Sequence, residues 1–405
     1  MDRQPWMTVP EVARIFEVLG APDVDVRFVG GCVRNAVMGL RVGDLDLATP
    51  EPPQKVIDRL SVAQIKVVPT GLEHGTITAV LKNASFEITT LRRDTACDGR
   101  HADVEFTTDW HEDARRRDFT VNAMSMRPDG TLFDDHGGLE DARAGRIRFV
   151  GTPEDRIQED YLRILRLFRF FAWYGREPVD EEALSACRKH VRGLNKLSAE
   201  RVQQELTKLL AAKNPVPALL AMSSAEVLRV VLPESQGTDV LQSLVELESE
   251  AATFPTDWVR RLAALVPSGA AESIAERLRL SAGAAKRLVD LCERANTIEI
   301  TTLNRLLYKA GAALAADRIL LSWAQARAES PDEDPEPWRN LIEIARSWTP
   351  RTLPVTGRDV LALGISPGPD VGKYLTAVED WWIEAKFSPS RDDVLDELRR
   401  RVKDA

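Results

Sequence analysis

Val29-Gly30-Gly31-Cys32-Val33-Arg34, followed ten residues later by Asp44-Leu45-Asp46, is the stretch from which the fold of this chain is read. Leu45 and Leu47 alternate with the two aspartates, the period of a β-strand. If the leucines enter a core, Asp44 and Asp46 stand side by side on the opposite face. Two carboxylates held that close repel unless a cation lies between them, and hard oxygen ligands suit Mg²⁺. Upstream, Gly30 and Gly31 end a strand and open a helix expected over Cys32 to Met38. Glycine admits the close approach of a triphosphate, and Arg34, one turn in, can clamp it through charge-assisted hydrogen bonds.

Transfer from a nucleoside triphosphate requires attacking and leaving oxygens in line, with the developing charge neutralised by one or two metal ions. Asp44 and Asp46 can bridge such ions. Glu87, in the strand-like Ser85-Phe86-Glu87-Ile88-Thr89-Thr90, either aligns beside them as a third, catalytic carboxylate or is a solvated strand residue. Arg115-Arg116-Arg117 precede an apparent helix start near Phe119. Such a run is usually a solvated face, but here Arg117 with its neighbour Arg116 can reach the triphosphate.

Working outward, further alternating segments fall at Val26 to Val29, Ile65 to Val68, Ile77 to Leu81, Phe86 to Thr90 and Arg146 to Phe149. They indicate a small mixed α/β head over residues 1–150. After Pro153 the spacing turns helical, as in Ala199 to Ala211, Ser273 to Leu280, Ala284 to Ala295, Asn304 to Ala310 and Leu314 to Ala328. The fold class is therefore α+β: the head, then a helical neck (151–220), body (221–330) and tail (331–405). Pro331 to Pro337 is acidic and proline-rich, an exposed linker or loop. In the tail, Leu363 to Lys373 reads as two short helices joined by a Gly/Pro turn. Either the turn aims backbone N–H groups at phosphate, with Gly364, Gly368, Gly372 and Lys373 touching RNA, or it is an ordinary connection.

The 405 residues carry a net charge of -9, which argues against indiscriminate nucleic-acid binding. Distribution qualifies the sum: from Asp160 to Lys213 eleven basic residues stand against seven acidic ones. No stretch is apolar enough for a membrane span or a signal peptide, so a cytoplasmic location is expected. Cys32, Cys97, Cys187 and Cys292 form no Cys-x-x-Cys pair, and are expected to be reduced and mostly buried.

Taken in order, Gly30 to Asn35, Asp44 to Asp46, Thr70 to Thr76, Asp98 to Arg100, Arg116 to Ala123, Glu159 to Phe170 and Leu197 to Leu206 resemble the motifs of class II tRNA nucleotidyltransferases and bacterial poly(A) polymerases. Similarity continues weakly through Leu278 to Leu291 and clearly over Gly357 to Phe387. The resemblance implies a polymerase-beta-like head that binds tRNA and adds C, C and A from CTP and ATP with Mg²⁺. It also implies that Asp160 and Arg163, with Arg166 and Arg169, select the base. Cytosine and adenine both set an amine donor beside a ring-nitrogen acceptor. A carboxylate accepts from the first and a guanidinium donates to the second, so such a pair rejects uracil and guanine. Asp160 and Arg163, three apart on an expected helix, would be neighbours. Without the resemblance, the same segment reads as an amphipathic helix with a salt-bridged polar side.

This chain departs from the family pattern at Asn35, where aspartate is usual; the metal pair is left intact and a supporting contact is altered. The last histidine is His190, so no C-terminal His-Asp phosphohydrolase follows. Two alternatives share or mimic these features. One is a poly(A) polymerase or a partial enzyme adding only A or only CC. The other is a non-catalytic RNA-binding scaffold.

Overall fold

The computed structural model of the chain describes residues 3–82, 84–97, 102–250, 254–293, 300–332 and 334–404. The motif Asp98-Gly99-Arg100 lies outside the described residues. The chain divides into two compact units, Met1–Pro233 and Glu234–Ala405.

In the first unit, strands β1 (Arg27–Val29), β2 (Leu45–Thr49), β3 (Lys66–Gly71), β4 (Thr76–Leu81) and β5 (Ala84–Thr90) come first. A two-stranded antiparallel ribbon, β6 (Arg92–Cys97) and β7 (Ala102–Phe106), follows, then the short β8 (Ser125–Met126) and β9 (Leu132–Phe133). Seven of these form one sheet in the order β3-β4-β5-β2-β1-β8-β9. Only β2 and β5 run parallel; every other neighbouring pair is antiparallel. Alternation explains the burial: Phe28, Leu47, Ile77, Phe86 and Ile88 are buried in the core, whereas Glu87, between Phe86 and Ile88, is exposed.

Two sequence expectations are corrected here. Arg146 to Phe149 is extended but joins no strand; Phe149 makes only an isolated bridge to Phe119. The arginine run does not precede a helix. It ends one, Trp110–Arg115, and is followed by the single 3₁₀ turn Thr120–Asn122.

The neck is helical: Pro153–Glu159, Leu162–Tyr174, Glu181–His190 and Ala199–Leu210. Ser198 starts the last of these by accepting from Arg201 N, and Asp180 does the same for the third from Ala183 N. The buried apolar side of Leu162–Tyr174, with Leu165, Phe168 and Phe171, is the one its 3.6-residue spacing predicts.

Among its described residues the second unit is all-helical. A tail core of Val355, Val360, Val378, Trp382, Val394 and Leu398 closes against Tyr308. Pro331, Asp332 and Asp334 are exposed, as expected there, while Glu336 and Pro337 already belong to the first turn of the helix Glu336–Ser347. No helix among the described residues is long and apolar enough to cross a membrane. Cys32, Cys187 and Cys292 are buried.

Candidate active site

The site is built on adjacent strands of the first unit. In the parallel register of β2 and β5, Asp46 lies directly opposite Glu87, so their side chains leave the same face of the sheet. Asp44 sits just before β2 in a bend and is exposed. Gly30 starts the helix Gly31–Val37 with φ 67 and ψ -127, a backbone only glycine adopts without strain. A side chain built on Gly30 would come within 3.8 Å of both Arg117 Nη1 and Asp46 Oδ2. Both side chains therefore border Gly30, at ordinary contact distance from such a Cβ.

Electrostatics set these carboxylates apart. Burial first, then the neighbouring Glu87 and Asp44 charges, push the Asp46 carboxyl up to about 6, although Arg117 and Arg34 oppose the rise. A cation beside Asp46 would relieve that repulsion, and oxygen-only donors suit a hard ion. Among the described residues no group of three His, Cys, Asp or Glu side chains is drawn together as a finished metal site. The donor chemistry fits a divalent ion; the ion itself would have to complete the geometry.

Arg34 and Arg117 flank the glycines differently. Arg34 is buried, at 7% exposure, and donates to Asn122 Oδ1 at 2.7 Å, to Tyr174 Oη at 2.9 Å and to Asn35 Oδ1 at 2.9 and 3.2 Å. Its guanidinium also lies 4.1 Å from the Tyr174 ring centre. Burial lowers its pKa, but it remains charged. Arg117 donates to Asp113 Oδ2 at 3.0 Å, while Arg116 is held by Asp113 Oδ1 on the other side. Burial, then the neighbouring Arg117, lowers Arg116 to about 10. Of the two arginines, Arg117 is therefore the one placed against Gly30 and Asp46.

The expected base-selecting pair is not assembled as the sequence suggests. Asp160 has extended backbone, φ -154 and ψ 109, between the helices Pro153–Glu159 and Leu162–Tyr174, so it does not share a helix with Arg163. Its Oδ1 accepts from Leu162 N, and its Oδ2 accepts from Arg201 Nη2 at 2.7 Å. Arg163 turns instead to Glu159 and to the Arg156 carbonyl. The reason is local: a carboxylate that caps the next helix leaves the row of the arginines that follow it. Arg166 donates to Asp118, and Arg169 to Glu205 Oε2 at 2.5 Å. Arg201 and Glu205, absent from the sequence-derived site, thus organise it. Both lie in or beside the segment Leu197 to Leu206, whose spacing carried the only signal for them.

In the tail, the helices Gly357–Ala362 and Pro369–Glu384 are joined by the expected turn, the second being 16 residues rather than short. Gly364, at φ 89, ends the first helix. Gly364, Gly368, Gly372 and Lys373 are exposed, with Lys373 Nζ 2.7 Å from Asp370 Oδ1.

A mixed sheet carrying paired carboxylates, a Gly-Gly helix start and a flanking arginine defines a nucleotidyltransferase head on a helical neck. Residues 26–148 match the poly A polymerase head domain family, and residues 178–237 match the probable RNA- and SrmB-binding site of polymerase A. The chain is 33% identical to the mitochondrial CCA tRNA nucleotidyltransferase 1 of Danio rerio, over 94% of this chain and 89% of that one. It is 30% identical to the CCA-adding enzyme of Limosilactobacillus fermentum, over 89% of each. The chain belongs to the CCA tRNA nucleotidyltransferase family. The Bacillus stearothermophilus CCA-adding enzyme in complex with CTP superposes with a TM-score of 0.78 at 26% identity, over 97% of both chains. A Thermotoga maritima CCA-adding enzyme solved with tRNA, 19% identical with a TM-score of 0.68, shares the fold.

Proposed function

We propose that this protein adds C, C and A to the 3′ end of tRNA from CTP and ATP, without a nucleic-acid template. The observation that carries the reading is the register of Asp46 against Glu87, with Asp46 and Arg117 both bordering Gly30, in a chain of this family. Asp44 and Asp46 are the residues to hold Mg²⁺, which when bound would screen the phosphate charge and favour ionisation of the attacking hydroxyl. Glu87 stands where it can take up that hydroxyl's proton. Gly30 and Gly31 let the triphosphate approach backbone, and Arg34, Arg117 and, behind it, Arg116 offset its charge.

Base selection falls to Asp160, with Arg163, Arg166 and Arg169. Their charges are matched by Arg201, Glu159, Asp118 and Glu205. Binding would exchange some of these partners for the Watson–Crick edge. We assign the head to residues 1–150, the neck to 151–220, the body to 221–330 and the tail to 331–405. The tail's exposed Gly364, Gly368, Gly372 and Lys373 would meet tRNA backbone. The composition and the lack of a membrane-spanning helix among the described residues support a cytoplasmic location.

The test supplies tRNA ending before its CCA with each nucleotide separately and then together. Growth by three nucleotides and no more is expected; an unbounded A tract from ATP alone would instead assign poly(A) synthesis. Asp44→Ala should abolish incorporation while tRNA binding stays within about twofold. Unchanged incorporation by that variant would refute the metal assignment and favour a scaffold.

A further inference from the structure

Arg34 is a buried cation with only neutral hydrogen-bond acceptors. Its guanidinium donates to two amide oxygens, Asn35 Oδ1 and Asn122 Oδ1, and to the Tyr174 hydroxyl, and no carboxylate forms an ion pair with it among the described residues. Two carboxylates act on it without bonding to it: Asp118, already paired with Arg166 and accepting from Asn122 Nδ2 at 3.0 Å, and Asp46. Arg117 differs in having a carboxylate partner, Asp113, which it shares with Arg116. Neutral dipoles orient a guanidinium without cancelling its charge, whereas a carboxylate in the same place cancels it.

Asn35 also does what an isosteric carboxylate cannot. Its Nδ2 donates to the Arg41 carbonyl at 3.0 Å while its Oδ1 accepts twice from Arg34. The amide therefore joins the Arg34 guanidinium to the loop that leads, three residues later, into Asp44.

We propose that Asn35 is a positioning residue that holds Arg34 without an ion-pair partner, so that its charge is kept for the polyphosphate. This rests on the reading of Arg34 as a triphosphate ligand. Its consequence is selective: a carboxylate at position 35 weakens the site for pyrophosphate and triphosphate but leaves tRNA recognition alone. It also hastens release of the pyrophosphate product, because that anion leaves a site of lower positive charge.

The experiment compares the full-length protein with Asn35→Asp and Asn35→Ser, using inorganic pyrophosphate as the probe in calorimetry without tRNA and as a product inhibitor of incorporation. Asn35→Asp should weaken pyrophosphate binding about tenfold and raise the KM for CTP and ATP alike, with the KM for tRNA within about twofold. Asn35→Ser keeps an oxygen acceptor and adds no charge, so its pyrophosphate affinity should stay within about threefold. If Asn35→Asp binds pyrophosphate like the parent, or Asn35→Ser loses as much as Asn35→Asp, charge at this position is not the operative property and the proposal is wrong. Should Asn35→Asp not fold, the Asn35→Ser arm still decides, since a tenfold loss there overturns the proposal and retention supports it. The pyrophosphate readout needs no acceptor, so a parent that binds pyrophosphate yet extends no tRNA would refute the proposed function while leaving this inference standing.

Discussion

Asp118 ties the neck helix to the head by holding three partners at once. It accepts from Arg166 on the neck helix, from Asn122 Nδ2 and from Phe119 N. Burial alone would raise its pKa; the Arg166 charge and the hydrogen bonds reverse that and hold the carboxyl below its usual range. The folded state therefore favours the ionised form. The resulting stability is fully present above the unfolded-state value, about 3.9, and is lost as pH falls through the depressed folded value. Asp113, depressed by Arg117 and Arg116 against the cost of burial, follows the same sign. Asp118→Asn should cost about 1–2 kcal/mol at pH 7, by leaving the half-buried Arg166 guanidinium short of its counter-charge. The gap in melting temperature between parent and variant should then narrow steadily between pH 5 and pH 2. A gap independent of pH would remove the ion pair from the account. Arg201 supports a second prediction at this scale. Arg201→Ala frees the Asp160 carboxylate to wander, and should lower kcat/KM for CTP and ATP about tenfold in single-nucleotide incorporation, with Arg201→Lys intermediate. Equal activity in all three proteins would detach Arg201 from base selection. Arg201 was invisible in the sequence as a partner of Asp160 because 41 residues separate them. Asp46 and Arg34 could be read because one follows from the strand over 45–49 and the other lies within the first turn after the glycines, whereas Asp44, expected on the same strand, sits in the bend before it.

At the scale of elements, local pattern and tertiary pairing divide the credit. Strands at 27–29, 45–49, 66–71, 76–81 and 84–90 fall on the short apolar segments legible in the sequence, although burial alternates clearly only at 76–81 and 84–90. β8 and β9 are two residues each and carry no periodic signal, while Arg146 to Phe149 alternates without finding a strand to pair with. The Asp160 break escaped notice for a similar reason: the apolar spacing of the neck helix runs on through it, and only the backbone at Asp160 departs. The body offers the opposite case. Helical spacing over Asn304 to Ala310 and Leu314 to Ala328 separates around Gly311, and the run Ile300–Glu329 is interrupted there, at φ 83 and ψ 167. That backbone is close to glycine-only, and a side chain built on Gly311 would meet nothing within 4 Å. Gly311→Ala should accordingly cost about 1–3 kcal/mol through backbone strain alone, read as a drop in melting temperature. A neutral or stabilising result would show that the break straightens into continuous helix at no cost.

For the whole molecule, every side chain assigned to nucleotide chemistry lies within Met1–Pro233, from Gly30 to Arg201, and the unit carries its own sheet, neck helices and core. The second unit has a separate tail core around Trp382 and a buried ion cluster in which Arg260 and Arg261 share Glu248, Arg260 also reaching Asp317. Such a cluster contributes little net stability relative to apolar packing, but removing one member leaves a buried charge unmatched, so it specifies one arrangement of its helices. Two units with independent cores can be separated if each buries enough apolar surface, and 233 residues are ample for that. The fragment Met1–Pro233 should therefore unfold cooperatively and bind CTP within about threefold of the full chain. Its affinity for tRNA should fall at least tenfold, because the tail contacts proposed at Gly364 to Lys373 are gone and each lost phosphate contact weakens binding. Raising salt should then weaken tRNA binding less steeply for the fragment than for the full chain, since the slope of affinity against salt counts the phosphates neutralised. Equal affinities and equal slopes would confine tRNA recognition to the first unit and leave the tail turn as a plain connection between two helices.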